Sequence, residues 1–134
     1  MPKNEIVSMH LAVPNGHFAQ ATIAAPGRLV FISGMTARNT AGGVTGGVTG
    51  VGDITAQTHQ VCQNLRAAIE AAGGTLDDIA RVDVYVRDIA DFEAIHAVRR
   101  QYFTGTAPDS TMVEVSGFVD KDYLIEINAV GVLS

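Results

Sequence analysis

Hydrophobic and polar positions follow two periods along this chain, and the changes between them predict its elements. From Arg81 to Arg87 the valines Val82, Val84 and Val86 fall on one face and Asp83 and Tyr85 on the other, the period of a half-buried strand. Arg28 to Gly34 is an apolar, β-branched run closed by glycine, again a strand. Shorter runs predict strands over Glu5–Met9, Phe18–Ala24, Thr111–Ser116 and Tyr123–Leu133. Turns are expected at Pro14-Asn15-Gly16 and Pro26-Gly27.

The period lengthens twice. Ile54, Val61, Leu65, Ala68, Ile69 and Ala72 recur at steps of three and four, predicting a helix capped by Asp53 and ended by Gly73-Gly74. Thr75–Asp78 reads as a short helical turn. A second helix is expected from Asp91 to about Phe103, with Pro108 barring its continuation. The order β-β-β-α-β-α-β-β predicts an α+β fold, a mixed sheet with two helices on one face, in a single domain over 1–134. Thr40–Gly52 holds Gly42-Gly43-Val44-Thr45 and then Gly46-Gly47-Val48-Thr49, and is expected to be a flexible surface loop. It matches neither glycine pattern that cradles phosphate.

Composition narrows the function classes. Nine Lys+Arg against fourteen Asp+Glu give a net charge of −5, so a protein that coats a nucleic-acid backbone is not expected. Cys62 is the lone cysteine, which excludes an internal disulfide and a Cys-rich zinc site. His59 and Cys62 are two potential ligands, too few for a metal site. The first ten residues lack the basic-then-apolar order of a signal peptide, and no run approaches a membrane span, so a soluble cytoplasmic protein is expected. With no Trp and 6% aromatic residues, the core must be built from small aliphatic side chains, and subunit contacts are expected to add burial.

Candidate chemistry sits on two elements. On the second helix Phe92, Ile95, His96, Arg99, Tyr102 and Phe103 share one stripe. His96 and Arg99 there either snorkel to water at its margin or, for Arg99, offer a planar fork to a carboxylate in a cleft; His96 by itself reads as a satisfied structural histidine rather than a catalytic one. On the last strand Glu126 and Asn128 share a face with Leu124 and Val130. A carboxylate between Ile125 and Ile127 either lies on an exposed polar face or positions a water molecule. Glu114 is a weaker candidate of the same kind. Ser33 before Gly34 lacks the G-x-S-x-G context of a hydrolase nucleophile.

Taken in order, these segments resemble the RidA/YjgF family of reactive enamine/imine deaminases. The resemblance runs through Gly16-His-Phe-Ala-Gln20-Ala, Val30-Phe-Ile-Ser-Gly34 and the helix bearing Gln60-Val61 and Asn64-Leu65. It continues through Asp88-Ile-Ala-Asp-Phe92, Tyr102-Phe103, Pro108, Val113-Glu-Val115 and Ile125-Glu-Ile127. It implies a chorismate-mutase-like α+β subunit assembled as a homotrimer, with ligand clefts between subunits. It also implies addition of water to an imine with loss of ammonia, needing neither cofactor nor metal. On that basis Glu126 would be catalytic, positioning water. Ser33, Gly34, Phe18, His96 and Ser110 would bind a small-molecule substrate, and Arg99, which the resemblance does not supply, would join them from its place on the inward stripe of the second helix. The chain departs from the family's deaminases where they carry an Arg two residues after the proline: Ser110 stands there. Their Tyr is Phe18 here, and an Asn aligns with His96. Arg99 could replace the missing clamp. The two functional readings are an enamine/imine hydrolase and a non-catalytic small-molecule-binding or chaperone-like trimer. An RNA-cleaving role finds no basic groove in the sequence.

Overall fold

The computed structural model describes residues 3–41 and 46–134. The first half of the glycine-rich repeat, Gly42–Thr45, lies outside the described residues. Eight strands and two helices follow one another as β1 (Asn4–Ile6), β2 (Ala21–Ile23), β3 (Arg28–Met35), β4 (Arg38–Asn39), β5 (Gly47–Val48), α1 (Ile54–Ala71), β6 (Ile79–Val86), α2 (Phe92–Tyr102), β7 (Asp109–Glu114) and β8 (Ile125–Leu133). The main sheet has the order β3-β8-β6-β7, and only the β6–β7 pair is parallel. Two expectations are corrected in detail. The first two strands are shorter than their apolar runs and pair with each other outside the main sheet. Part of the expected loop is paired, β4 with β5.

Alternation decides the layers. Val82, Val84 and Val86 of β6 and Ile125, Ile127 and Ala129 of β8 are buried against Val61, Leu65 and Ile69 of α1 and Ile95 of α2. Both helices therefore cover one face, and the opposite face carries the alternate residues of every strand. On it Phe31 and Leu29 stay 74% and 59% exposed.

Helix α1 is bounded as its ends dictate. The Asp53 carboxylate accepts the Ala56 N–H at 3.0 Å. At the other end Gly73, at φ +93, lets its own N–H reach the Glu70 carbonyl and that of Gly74 reach Ile69, the paired bonds of a glycine-terminated helix. The polar residues of α1 hold the loops. Gln57, fully buried, donates to the carbonyls of Gly50 and Asp122 and accepts the Leu124 N–H. Asn64 donates to the carbonyls of Thr36 and Arg38, and Thr49 joins Asn39 to Gln60. One helix thus fixes the chain just after Gly34 and just before Glu126.

Candidate functional site

Glu126 stands on the sheet face away from the helices. Its strand neighbours in register are Tyr85 on β6 and, one row along, the pair Asn128 and Asp83. Between Ile32 and Met35 the β3–β8 register slips, so that Ser33 and Gly34 oppose Asn128 alone. A bulge of this kind bends the strand and re-aims its backbone. Here it brings Gly34 beneath Glu126. A methyl group on Gly34 would collide with the Glu126 carboxylate, so glycine is what lets the acid lie across the bulge. Ser33 beside it is exposed.

A cleft of about 440 Å3 opens over this point. Its floor is Gly34, Tyr85, Glu126 and Asn128, and its wall is the segment after β7, with Val115, Phe118 and Val119. Among the described residues the Glu126 carboxylate has no hydrogen-bond or ion-pair partner. Its neighbours are satisfied: Asn128 Nδ2 donates to Asp83 at 3.1 Å, and Arg81 bridges Asp83 at 2.9 Å and Asp109 at 3.2 Å. An unpaired carboxylate in a part-apolar cleft has lone pairs free to take a proton from water.

The remaining expected site residues fall elsewhere in the chain. His96 is 2% exposed, and its ring lies 4.2 Å from that of Phe92 and 6.3 Å from that of Phe18. The His17 N–H donates to His96 Nδ1 at 2.7 Å, which assigns the ring hydrogen to Nε2 in the neutral form. Burial, then the charges of Arg99, Arg100 and His17, push its pKa down to about 4, so the ring is neutral near pH 7. Gly16 makes room for it, since a Cβ there would sit 2.5 Å from His96 Cε1. Ser110, on β7, is in register with buried Val82 and so faces the helix side. Its neighbour Asp109 bridges Ala19, next to Phe18.

Arg99 corrects an expectation. It neither snorkels nor reaches a cleft: it is fully buried on the helix side of the sheet, and no nitrogen of its guanidinium has a partner among the described residues. Burial pushes its pKa down to about 10, opposed by Cys62 on α1. The Cys62 thiol is itself pushed up to about 12 by burial, with Arg99 and Arg66 opposing. A residue on the inward stripe of α2 is enclosed between α1 and the sheet, and even a side chain of this length finds no exit to water. Within one chain, then, Ser33, Gly34 and Glu126 gather on the open sheet face. Phe18 and His96 gather beside the β7 edge with Ser110 on that strand, and Arg99 joins neither. Tyr85, Asn128 and Phe118 are not among the expected site residues. Strand alternation puts Tyr85 and Asn128 opposite the buried valines and isoleucines and could have found both; nothing in sequence places Phe118. No cluster of three metal-ligating side chains occurs among the described residues, nor any helix long and apolar enough to cross a membrane.

Fold and site together define a two-layer α+β protein whose open sheet face carries an acid-floored cleft. The chain belongs to the RidA/YjgF family: the family described as "Endoribonuclease L-PSP" matches residues 9–133. It is 38% identical over 128 residues to the RutC family protein PH0854 of Pyrococcus horikoshii, covering 96% of each chain. Among solved structures it is similar to the Rid-family protein YyfB of Yersinia pestis, at TM-score 0.88 and 30% identity over 99% of this chain and 100% of that one. It is also similar to TdcF of E. coli, solved with bound serine, at TM-score 0.72 and 28% identity over 98% and 99% of the two chains.

Proposed function

We propose that this protein is a homotrimeric RidA-like hydrolase that converts an imine, or the enamine in equilibrium with it, to a carbonyl product and ammonia. The observation that carries this reading is the unpaired Glu126 carboxylate held over the Gly34 bulge inside a cleft. Water bound by Glu126 attacks the imine carbon while the carboxylate takes a proton from it. The tetrahedral carbinolamine then loses its C–N bond, and the proton held on Glu126 goes to the leaving nitrogen. In balance, one protonated imine and one water give one carbonyl compound and one ammonium ion, with no redox step. Positioning one water against one acid supplies the main rate gain.

Trimerisation supplies the rest of the cleft. The exposed Phe31 and Leu29 mark the open sheet face as a surface for another copy of the chain. In the assembly Ser33, Gly34 and Glu126 of one subunit meet Phe18, His96 and Ser110 at the β7 edge of the next. Phe18 packs the substrate, while Ser110 and the His96 ring donate hydrogen bonds. Arg99 is given no contact with substrate, because it is sealed inside its own subunit. The bound serine in TdcF supports a small molecule as the ligand class. Against RNA stands the acidic character of the cleft and its surroundings, since RNA binding needs clustered cations.

The test couples a flavin oxidase, which releases an imine, to measurement of ammonia release with and without this protein. Acceleration beyond the uncatalysed rate supports the hydrolase. A non-catalytic binding trimer gives saturable ligand binding and no acceleration.

A further inference from the structure

The charge of the cleft selects its substrate. Among the described residues no Lys, Arg or His lines it. Glu126 carries the single charge among its lining residues and is unpaired among the described residues. Arg81, one cation on the same sheet face, is tied to two carboxylates, Asp83 and Asp109. Arg87, beyond Tyr85 at the end of β6, donates to the Lys121 carbonyl. Arg99 is sealed on the other side of the sheet.

The three residues proposed to come from the next subunit's β7 edge are uncharged as well. Ser110 has one hydroxyl, Phe18 none, and His96 accepts a backbone N–H through Nδ1 and so holds a neutral ring. An anionic substrate carboxylate would face Glu126 with no cation among the lining residues to pair it, and a like charge at close range disfavours it. A protonated imine is attracted by the same carboxylate that activates water for it. The wall of Val115, Phe118 and Val119 suits an apolar or aromatic substituent.

We infer that the substrate is a protonated imine with an apolar substituent and no carboxylate, of the kind formed by two-electron oxidation of a primary amine. This rests on the hydrolase reading above for its chemistry, though not for its charge preference. The product is then an aldehyde or simple ketone rather than a 2-keto acid, and the enzyme consumes what a flavin amine oxidase releases.

A matched pair tests the inference. The imine from 2-phenylethylamine, made by a flavin amine oxidase, differs from that of phenylalanine, made by an L-amino acid oxidase, by the carboxylate. The expected kcat/KM for the first is at least tenfold the second. A faster carboxylated imine overturns the inference and leaves the hydrolase reading intact. Calorimetry with unreactive ligands separates the two further: 2-phenylethylammonium should bind at least tenfold tighter than 3-phenylpropionate, and Glu126→Gln should abolish that preference. If neither imine turns over but the binding preference holds and depends on Glu126, the charge selection stands and the hydrolase reading falls. Equal or tighter binding of 3-phenylpropionate, or a preference indifferent to Glu126→Gln, overturns the inference.

Discussion

Replacing Arg99 by Met should make this protein more stable. The guanidinium is fully buried and has no partner among the described residues. Burial lowers its pKa from 12.5 to about 10; at about 1.4 kcal/mol per tenfold change in proton affinity, holding it charged inside the fold costs roughly 3 kcal/mol. Below pH 10 the group is protonated in both folded and unfolded chains, so the whole cost is present at neutral pH. It diminishes as pH rises from about 10 toward 12.5, where the unfolded chain binds more protons than the folded one. Met keeps the helix propensity and much of the apolar stem. Exchange of buried ions for apolar side chains of similar volume gains about 1–4 kcal/mol. A gain of about 1–3 kcal/mol should raise the melting temperature by roughly 4–10 °C for a chain of this length. Arg99→Lys keeps the charge on a more strongly hydrated head and should lower it. Differential scanning calorimetry reads both, and the oxidase-coupled assay should show Arg99→Met turnover within about twofold of the parent. A lower melting temperature with lost turnover would refute the reasoning and show the guanidinium bonded in the working protein.

Other outcomes follow from the same geometry. Gly34→Ala should push the Glu126 carboxylate off the bulge and cut turnover at least tenfold, while the melting temperature changes by a degree or two, because the displaced atoms are the free end of a side chain. Gln57→Ala strands two carbonyls and one N–H, and should cost about 2–4 kcal/mol in urea unfolding. With the His96 pKa held at about 4 against an ordinary 6.5, the unfolded chain takes up the proton first. Stability should therefore fall as pH drops from about 6.5 through 4, and His96→Asn should flatten that slope. Light scattering should give three times the 14.1 kDa chain, and Phe31→Glu should break the assembly to monomers.

The fold is legible where periodicity and punctuation agree. Asp53 and Gly73-Gly74 bound α1, and the valine alternation of β6 tells its faces apart. The first strand is overestimated because Val7 and Met9 are apolar yet exposed, and apolar runs alone do not say what they pack against. The β4–β5 pair is invisible in sequence, since two-residue strands leave no pattern to read. At the site, Glu126 and Gly34 follow from alternation and the glycine strand end, but the bulge that joins them depends on cross-strand register, which no local pattern encodes. The stripe on α2 places His96 and Arg99 inward, as the structure has them. It cannot tell a cleft from a core, because a helix presents the same face to either. Arg99 is therefore left open in sequence between a cation reaching water and a substrate clamp, when its surroundings are α1 and the sheet.

The most direct test is the turnover of Glu126→Gln beside the parent protein, at matched oligomeric state, on the imine whose breakdown the parent accelerates most in the oxidase-coupled assay. Glutamine keeps the shape over Gly34 and loses the base. If Glu126 activates the water, kcat falls at least about 100-fold, the range expected for removal of a general base, with the trimer and its melting temperature retained. A variant that releases ammonia within a few-fold of the parent rate would contradict this, because water would then be activated by a group other than Glu126.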